Sequence, residues 1–98
     1  MKRAVVFRRE ARAEFFEAIG WYEEREAGLG QRFARAIGQT LRRILENPQL
    51  GRRMTEEVRR VVLRTFPYTI HYLVEPERVV VMAVFHASRD PAQLRSRY

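Results

Sequence analysis

Residues 78–86 read RVVVMAVFH, and they contain the longest uncharged apolar run of the chain. The stretch is rich in β-branched residues, so it predicts a β-strand. Strand alternation divides its apolar residues between two faces: Val79, Val81, Ala83 and Phe85 on one, Val80, Met82 and Val84 on the other. A strand that is apolar on both faces belongs in the middle of a sheet. We therefore expect the first strand of the chain to pair beside it.

Two further strands precede this one. Residues 58–64, VRRVVLR, and residues 68–74, YTIHYLV, are also rich in β-branched and aromatic residues and alternate with period two. Phe66-Pro67 and residues 75–77 separate the three strands, and proline suits the first residue of a strand because no ladder hydrogen bond is lost there. The pattern predicts an antiparallel meander, to which residues 4–8, AVVFR, add a fourth strand.

The apolar period between these regions indicates two amphipathic helices. The first stripe contains Ala11, Phe15, Ile19 and Tyr22, and the second contains Phe33, Ile37, Leu41, Ile44 and Leu45. Gly28-Leu29-Gly30 separates the helices, and Asn47-Pro48 ends the second one. Helices joined by so short a link are expected to pack as an antiparallel hairpin.

The element order is therefore β-α-α-β-β-β. It predicts a single α+β domain over residues 1–98, in which the helix hairpin covers one face of a four-stranded antiparallel sheet. Asp90-Pro91 predicts an N-cap and the first turn of a short C-terminal helix or tail. We expect Trp21 and Tyr22 to complete the core face of the first helix, and Phe66-Pro67-Tyr68 to form a hairpin corner.

The composition narrows the possible functions. The formal net charge is +7, and Lys2 is the only lysine among the 19 lysines and arginines. The guanidinium group of arginine can bind a phosphate or a carboxylate through two nitrogens, so this excess of positive charge favours nucleic acid or an acidic protein as a partner. The absence of cysteine excludes disulfides, thiolate zinc sites and thiol catalysis. No leading signal segment and no membrane-spanning run is visible, so we expect a cytosolic protein.

A series of short motifs runs in order along nearly the whole chain. They are Trp21-Tyr22-Glu23, Gly28-x-Gly30 with Phe33, Pro48, Arg59-Arg60, Phe66-Pro67-Tyr68 with Ile70 and Tyr72, His86, and Arg89-Asp90-Pro91. Together they resemble the ParE/RelE superfamily, the toxins of bacterial type II toxin–antitoxin systems, whose ParE-like members include plasmid-stabilisation proteins. The FPY and HxxRDP elements are closer to the ParE branch than to the RelE branch.

The resemblance implies a growth-arresting toxin that is silenced by an antitoxin encoded alongside it. ParE-like members act on DNA gyrase, which requires a binding surface and no catalytic group. The expected target-binding residues lie at strand ends and in the basic tail: Arg59, Arg60, Arg64, Arg89, Arg95, Arg97 and Tyr98. The antitoxin is expected to be acidic, to become ordered on binding and to fill a groove on the helices.

RelE-like members instead cut messenger RNA on the ribosome, and this is the alternative function. Cleavage through the RNA 2′-hydroxyl needs a base, cations on the phosphate and an acid, but no metal. The residues that could supply these groups are Arg60, Arg64, His71, His86 and Arg89. Alternation separates Thr69 and His71 from the apolar face of their strand, so we expect His71 to lie on the exposed face.

The RelE pattern is incomplete in this chain. Thr69 stands where those nucleases typically have an arginine, and Arg95 stands where they tend to have a tyrosine. Losing one oriented donor typically costs about 3–4 kcal/mol of transition-state stabilisation, so messenger-RNA cleavage ranks second.

Other functional classes have less support. A plain nucleic-acid-binding module would need a recognition helix or exposed stacked aromatics, and neither pattern is present. His71 and His86 lack the spacing of metal ligands, and there is no phosphate-binding loop or serine elbow. We therefore expect no metal, no cofactor and no small-molecule substrate.

Overall fold

The computed structural model describes residues 3–97, apart from the side chains of Pro91, Arg95 and Ser96. The elements in chain order are β1 (Ala4–Phe7), α1 (Arg9–Arg25), α2 (Leu29–Glu46), β2 (Arg52–Arg53), β3 (Val58–Val62), β4 (Tyr68–Val74), β5 (Arg78–His86) and a C-terminal 3₁₀ helix (Pro91–Arg97). Within the described part, no helix is long and apolar enough to cross a membrane.

The five strands form one sheet in the order β1-β5-β4-β3-β2. The α+β class and the predicted place of β1 beside β5 are confirmed. The all-antiparallel, four-stranded prediction is wrong in two details. β1 runs parallel to β5, because the helix hairpin carries the chain away from β1 before the meander begins. Arg52–Arg53 also adds a short edge strand beside β3.

The helix hairpin covers one face of the sheet. Its core combines the predicted stripe of α2, including Phe33 and Ile37, with Ile70 and Tyr72 from β4. The Tyr72 hydroxyl accepts a hydrogen bond from the Gly51 N–H at 2.9 Å and donates one to the Pro48 carbonyl at 2.8 Å. This buried phenol therefore ties the end of α2 and the start of β2 to the middle of the sheet.

Aromatic side chains close one end of this core. Phe66 packs edge-on against Tyr22 and Phe33, with ring centroids 5.0 and 5.3 Å apart. The hairpin corner at Phe66-Pro67-Tyr68 is thus confirmed as part of the architecture. The prediction for Trp21 is wrong, because its side chain is 50% exposed and the Arg25 guanidinium lies 3.9 Å from its ring centroid.

A β-bulge in β5 changes the predicted faces of this strand. His71 pairs with Ala83 while Tyr72 pairs with Val81, so Met82 is the extra residue. After the bulge, Val84 joins Val79 and Val81 on the helix side. Ala83 and Phe85 instead turn to the opposite face, contrary to the simple alternation expected from the sequence.

The C-terminal 3₁₀ helix covers part of that opposite face. Leu94 is fully buried against Ala83 and Phe85. The Asp90 carboxylate accepts the Ala92 N–H at 2.9 Å, which confirms the predicted N-cap. One end of the sheet is therefore covered on both faces.

The turn between the helices depends on close packing at Gly30. A Cβ added there would lie 2.6 Å from the Ile19 carbonyl oxygen. The Glu23 carboxylate also accepts hydrogen bonds from the Gly28 and Gly30 N–H groups at 2.9 and 3.0 Å. These bonds satisfy backbone N–H groups at the start of α2 that have no partner within the helix.

We predict that Gly30→Ala destabilises the domain by about 1–3 kcal/mol, because the backbone of α1 must move to admit the methyl group. Gly38→Ala is the matched control, since nothing lies within 4 Å of its added Cβ. Alanine in the interior of α2 is expected to stabilise the fold by about 0.5–1 kcal/mol. Urea denaturation measures both changes; equal effects of the two substitutions would contradict this packing.

Candidate macromolecule-binding surface

The predicted target-binding residues fall into two groups. Arg59 and Arg60 lie on β3, and the exposed Arg64 follows that strand. Arg89 and Arg97 lie at the other end of the chain, around the C-terminal 3₁₀ helix. Two predicted contributors lie outside the described structure: the side chain of Arg95 and the whole of Tyr98.

Glu14 of α1 holds the C-terminal group together. Arg97 binds its carboxylate with both guanidinium nitrogens, Nη1 to Oε1 at 3.0 Å and Nη2 to Oε2 at 2.8 Å. The Arg89 Nη1 approaches Oε2 at 3.4 Å. The hydrogen bond to Glu14 raises the pKa of Arg97, so this guanidinium remains charged at every physiological pH.

The same two arginines also contact Phe85. The Arg89 guanidinium lies 3.8 Å from the ring centroid and that of Arg97 lies 5.2 Å away. Such cation–π contacts orient a guanidinium without neutralising it. Arg89 has 44% of its side chain exposed, compared with 18% for Arg97. Arg89 is therefore the more available of the pair.

Arg59 is oriented by backbone carbonyls. Its Nη1 donates to the Gly51 carbonyl at 2.8 Å and to the Gln49 carbonyl at 3.3 Å. In the part of the chain that the structure describes, no carboxylate lies within ion-pair distance of Arg59. Its positive charge therefore stays available to a partner.

One cavity brings members of the two groups together. It is an open basin of about 820 Å³, and its lining includes the arginines Arg3, Arg8, Arg59 and Arg97, the glutamates Glu56, Glu57 and Glu75, and the apolar side chains Leu73 and Met82. Arg3 and Arg8 were not predicted, because arginines near a chain start carry no local signal of a shared surface. We call this surface the basin.

His71 does not lie on an exposed face, and that prediction is wrong. Its side chain is 1% exposed, its ring lies 5.9 Å from that of Phe85, and its Nε2 is 3.1 Å from the Thr69 hydroxyl. Leu94 is buried against Phe85 on the same face, so the 3₁₀ helix helps to keep this end of the sheet from solvent. The predicted alternation was correct, but the sequence did not show what covers that face.

Burial also determines the protonation of His71. Desolvation, reinforced by the positive charge of Arg60, lowers the pKa of His71 to about 4. Its Nδ1 has no hydrogen-bond partner within the described structure. His71 is therefore neutral near pH 7 and has no open path to a substrate.

His86 lies apart from His71, on the helix side of β5. Its Nδ1 is 2.7 Å from the Ser88 hydroxyl, and its ring packs edge-on against Tyr68 at 5.3 Å. The residues predicted for ribonuclease chemistry are thus divided between two faces of the sheet. Among the described residues, no three His, Asp or Glu side chains gather as possible metal ligands.

Comparison with known proteins identifies the family. Residues 5–91 match the family model described as the ParE toxin of the type II toxin–antitoxin system parDE. The chain belongs to the ParE toxin family. No curated protein sequence matches it significantly.

Solved structures agree with the ParE fold. A chain from the chromosomal ParDE toxin–antitoxin system of P. aeruginosa is similar with a TM-score of 0.63 and 14% identity, covering 87% of this chain and 96% of that one. An E. coli RelE toxin variant in the free state, with two arginines changed to alanine, is similar with a TM-score of 0.60 and 18% identity. That match covers 99% of this chain and 94% of the RelE chain. At these identities the likeness shows the shared fold alone.

The depressed pKa of His71 predicts acid sensitivity of this ParE-family domain. Between pH 6.5 and pH 4 the unfolded histidine binds a proton that the folded one does not. The free energy of unfolding should therefore fall as the pH decreases through this range, by at most about 3 kcal/mol from this group.

Urea denaturation of the wild type and of His71→Leu, at pH 7 and at pH 5, measures this contribution. The loss of stability on acidification should be smaller in the variant. Equal losses in the two proteins would contradict a buried, neutral His71.

Proposed function

We propose that this ParE-family chain is a cytoplasmic toxin that arrests growth by binding and inhibiting DNA gyrase. The observation that carries the proposal is the mixed character of the basin, whose lining combines arginines and glutamates with the apolar side chains of Leu73 and Met82. A surface of both charges with apolar patches suits a protein target, since the glutamates would repel a nucleic-acid backbone. Arg3, Arg8 and Arg59 are its cations without a carboxylate partner among the described residues.

Messenger-RNA cleavage fits this site less well. In the pairing of β3 with β4, Arg60 lies opposite His71, and this histidine is buried and neutral. Thr69, in the place of an expected cation, is buried with it and donates its hydroxyl to the Phe85 carbonyl at 3.3 Å. A general base must reach the proton that it removes, and His71 cannot do so while the 3₁₀ helix is in place.

We further propose that the partner is an acidic antitoxin encoded beside the toxin. The net charge of +7 favours such a partner electrostatically. Expression of the chain alone is expected to arrest growth, and co-expression with the adjacent small gene is expected to restore it. Normal growth on expression alone would contradict the toxin function.

The target is tested with purified protein in a gyrase supercoiling assay. We expect inhibition by the wild type, and a roughly tenfold weaker inhibition by the Arg8→Gln/Arg59→Gln double variant, corresponding to about 1.4 kcal/mol of lost binding. Arg35→Gln/Arg42→Gln is the matched control, because both arginines are exposed on α2 and the net charge changes equally. This control should inhibit like the wild type.

A second assay separates the two candidate targets. Translating ribosomes are incubated with the toxin, and messenger-RNA fragments are mapped. Shortened messenger RNA together with unaffected supercoiling would reverse the proposal in favour of the ribonuclease. Equal loss of inhibition in both double variants would show that net charge, and not the basin, determines the binding.

A further inference from the structure

Within the described structure, the second half of the β5 edge has no neighbouring strand. β1 pairs only with residues 78–81, and the Arg8 N–H donates the last backbone bond of that pairing to the Val81 carbonyl at 3.0 Å. Residues 82–86 continue beyond the end of β1, and residues 83–86 pair with β4 on their other side. An uncovered strand edge presents unpaired N–H and C=O groups that another chain can bind.

Two side chains satisfy part of this open edge. The Val84 N–H donates to Glu14 Oε1 at 3.1 Å, and Arg97 Nη1 donates to the Met82 carbonyl at 3.2 Å. The carboxylate takes the place of a strand carbonyl, and the guanidinium takes the place of a strand N–H. The Glu14–Arg97 ion pair thus occupies the position in which the backbone of an added strand would lie.

A groove runs beside this edge. It is a cleft of about 470 Å³ between α1 and the end of β5, and Trp21, Tyr68, Val84 and His86 are among its lining residues. Strand alternation directs the Val84 carbonyl and the His86 N–H to the same side as the Val84 N–H. The groove therefore combines backbone hydrogen-bonding groups with an aromatic pocket, which are the two elements of strand addition.

We propose that this groove binds an extended segment of the antitoxin, which adds a strand to residues 82–86 and places a carboxylate between Arg89 and Arg97 in exchange for Glu14. The bidentate contact of Arg97 with Glu14 shows that the site already accepts a carboxylate. An apolar side chain of the segment fills the cleft beside Trp21. The inference rests on the proposed toxin–antitoxin function.

An acidic segment fits this groove better than a second copy of the chain does. Two copies, each with a net charge of +7, would repel one another, whereas an acidic strand is attracted. An added carboxylate also keeps Arg97 paired, so Glu14 can leave without exposing an uncompensated guanidinium. Glu14 is then an internal competitor of the antitoxin.

The test uses the antitoxin that restores growth and measures its Kd for toxin variants by titration calorimetry. Glu14→Gln keeps an oxygen that can accept the Val84 N–H but removes the negative charge. We expect it to bind the antitoxin about tenfold more tightly, because the internal competitor is weakened. Glu24→Gln is the matched control, with the same charge change at an exposed position of α1, and its Kd should stay within about threefold of wild type.

Two further measurements locate the bound segment on the toxin. Amide hydrogen exchange at His86 should slow in the complex, because its N–H gains a partner. Phe16→Ser removes an exposed apolar side chain away from the groove and should leave the Kd unchanged.

Each outcome has a defined meaning. Equal gains in affinity for Glu14→Gln and Glu24→Gln, unchanged exchange at His86, or loss of binding in Phe16→Ser would overturn the groove while leaving the toxin–antitoxin function intact. Failure of any antitoxin to bind the wild-type chain would overturn the proposed function and the groove together.

Discussion

The hydrogen bond between the Val84 N–H and the Glu14 carboxylate joins the three parts of this molecule. Glu14 belongs to α1, Val84 to the interior strand β5, and Arg97, which binds the same carboxylate, to the C-terminal 3₁₀ helix. The contact exists because β1 ends before β5 does, so the remaining edge must find other hydrogen-bonding partners. A charge-assisted bond in this partly buried place is stronger than a neutral one.

The rest of the binding surface follows from that connection. With Arg97 held against Glu14, the 3₁₀ helix lies across the sheet, and Leu94 packs on Phe85. His71 then lies in an environment that excludes its charged form, which removes it as an accessible base. The cations that remain available lie around the basin and at Arg89, and they suit binding more than catalysis.

Much of the fold could be predicted because its signals are local. The apolar stripe of α2, the Asp90 cap and the corner at residues 66–68 depend on neighbours a few positions apart. The bulge at Met82 and the contact between Glu14 and Arg97, 83 residues apart, depend on how distant elements meet. No local sequence pattern predicts the bulge or this contact. The exposure of His71 was therefore mispredicted, and Glu14 was missed as part of the site.

A crystal structure of the toxin bound to its antitoxin tests the central claim most directly. We predict an antitoxin strand paired with residues 82–86, a foreign carboxylate on Arg97, and a Glu14 side chain turned away from it. A complex in which the Glu14–Arg97 pair is intact and the antitoxin lies elsewhere, for example over Phe16 and Val6, would contradict the claim.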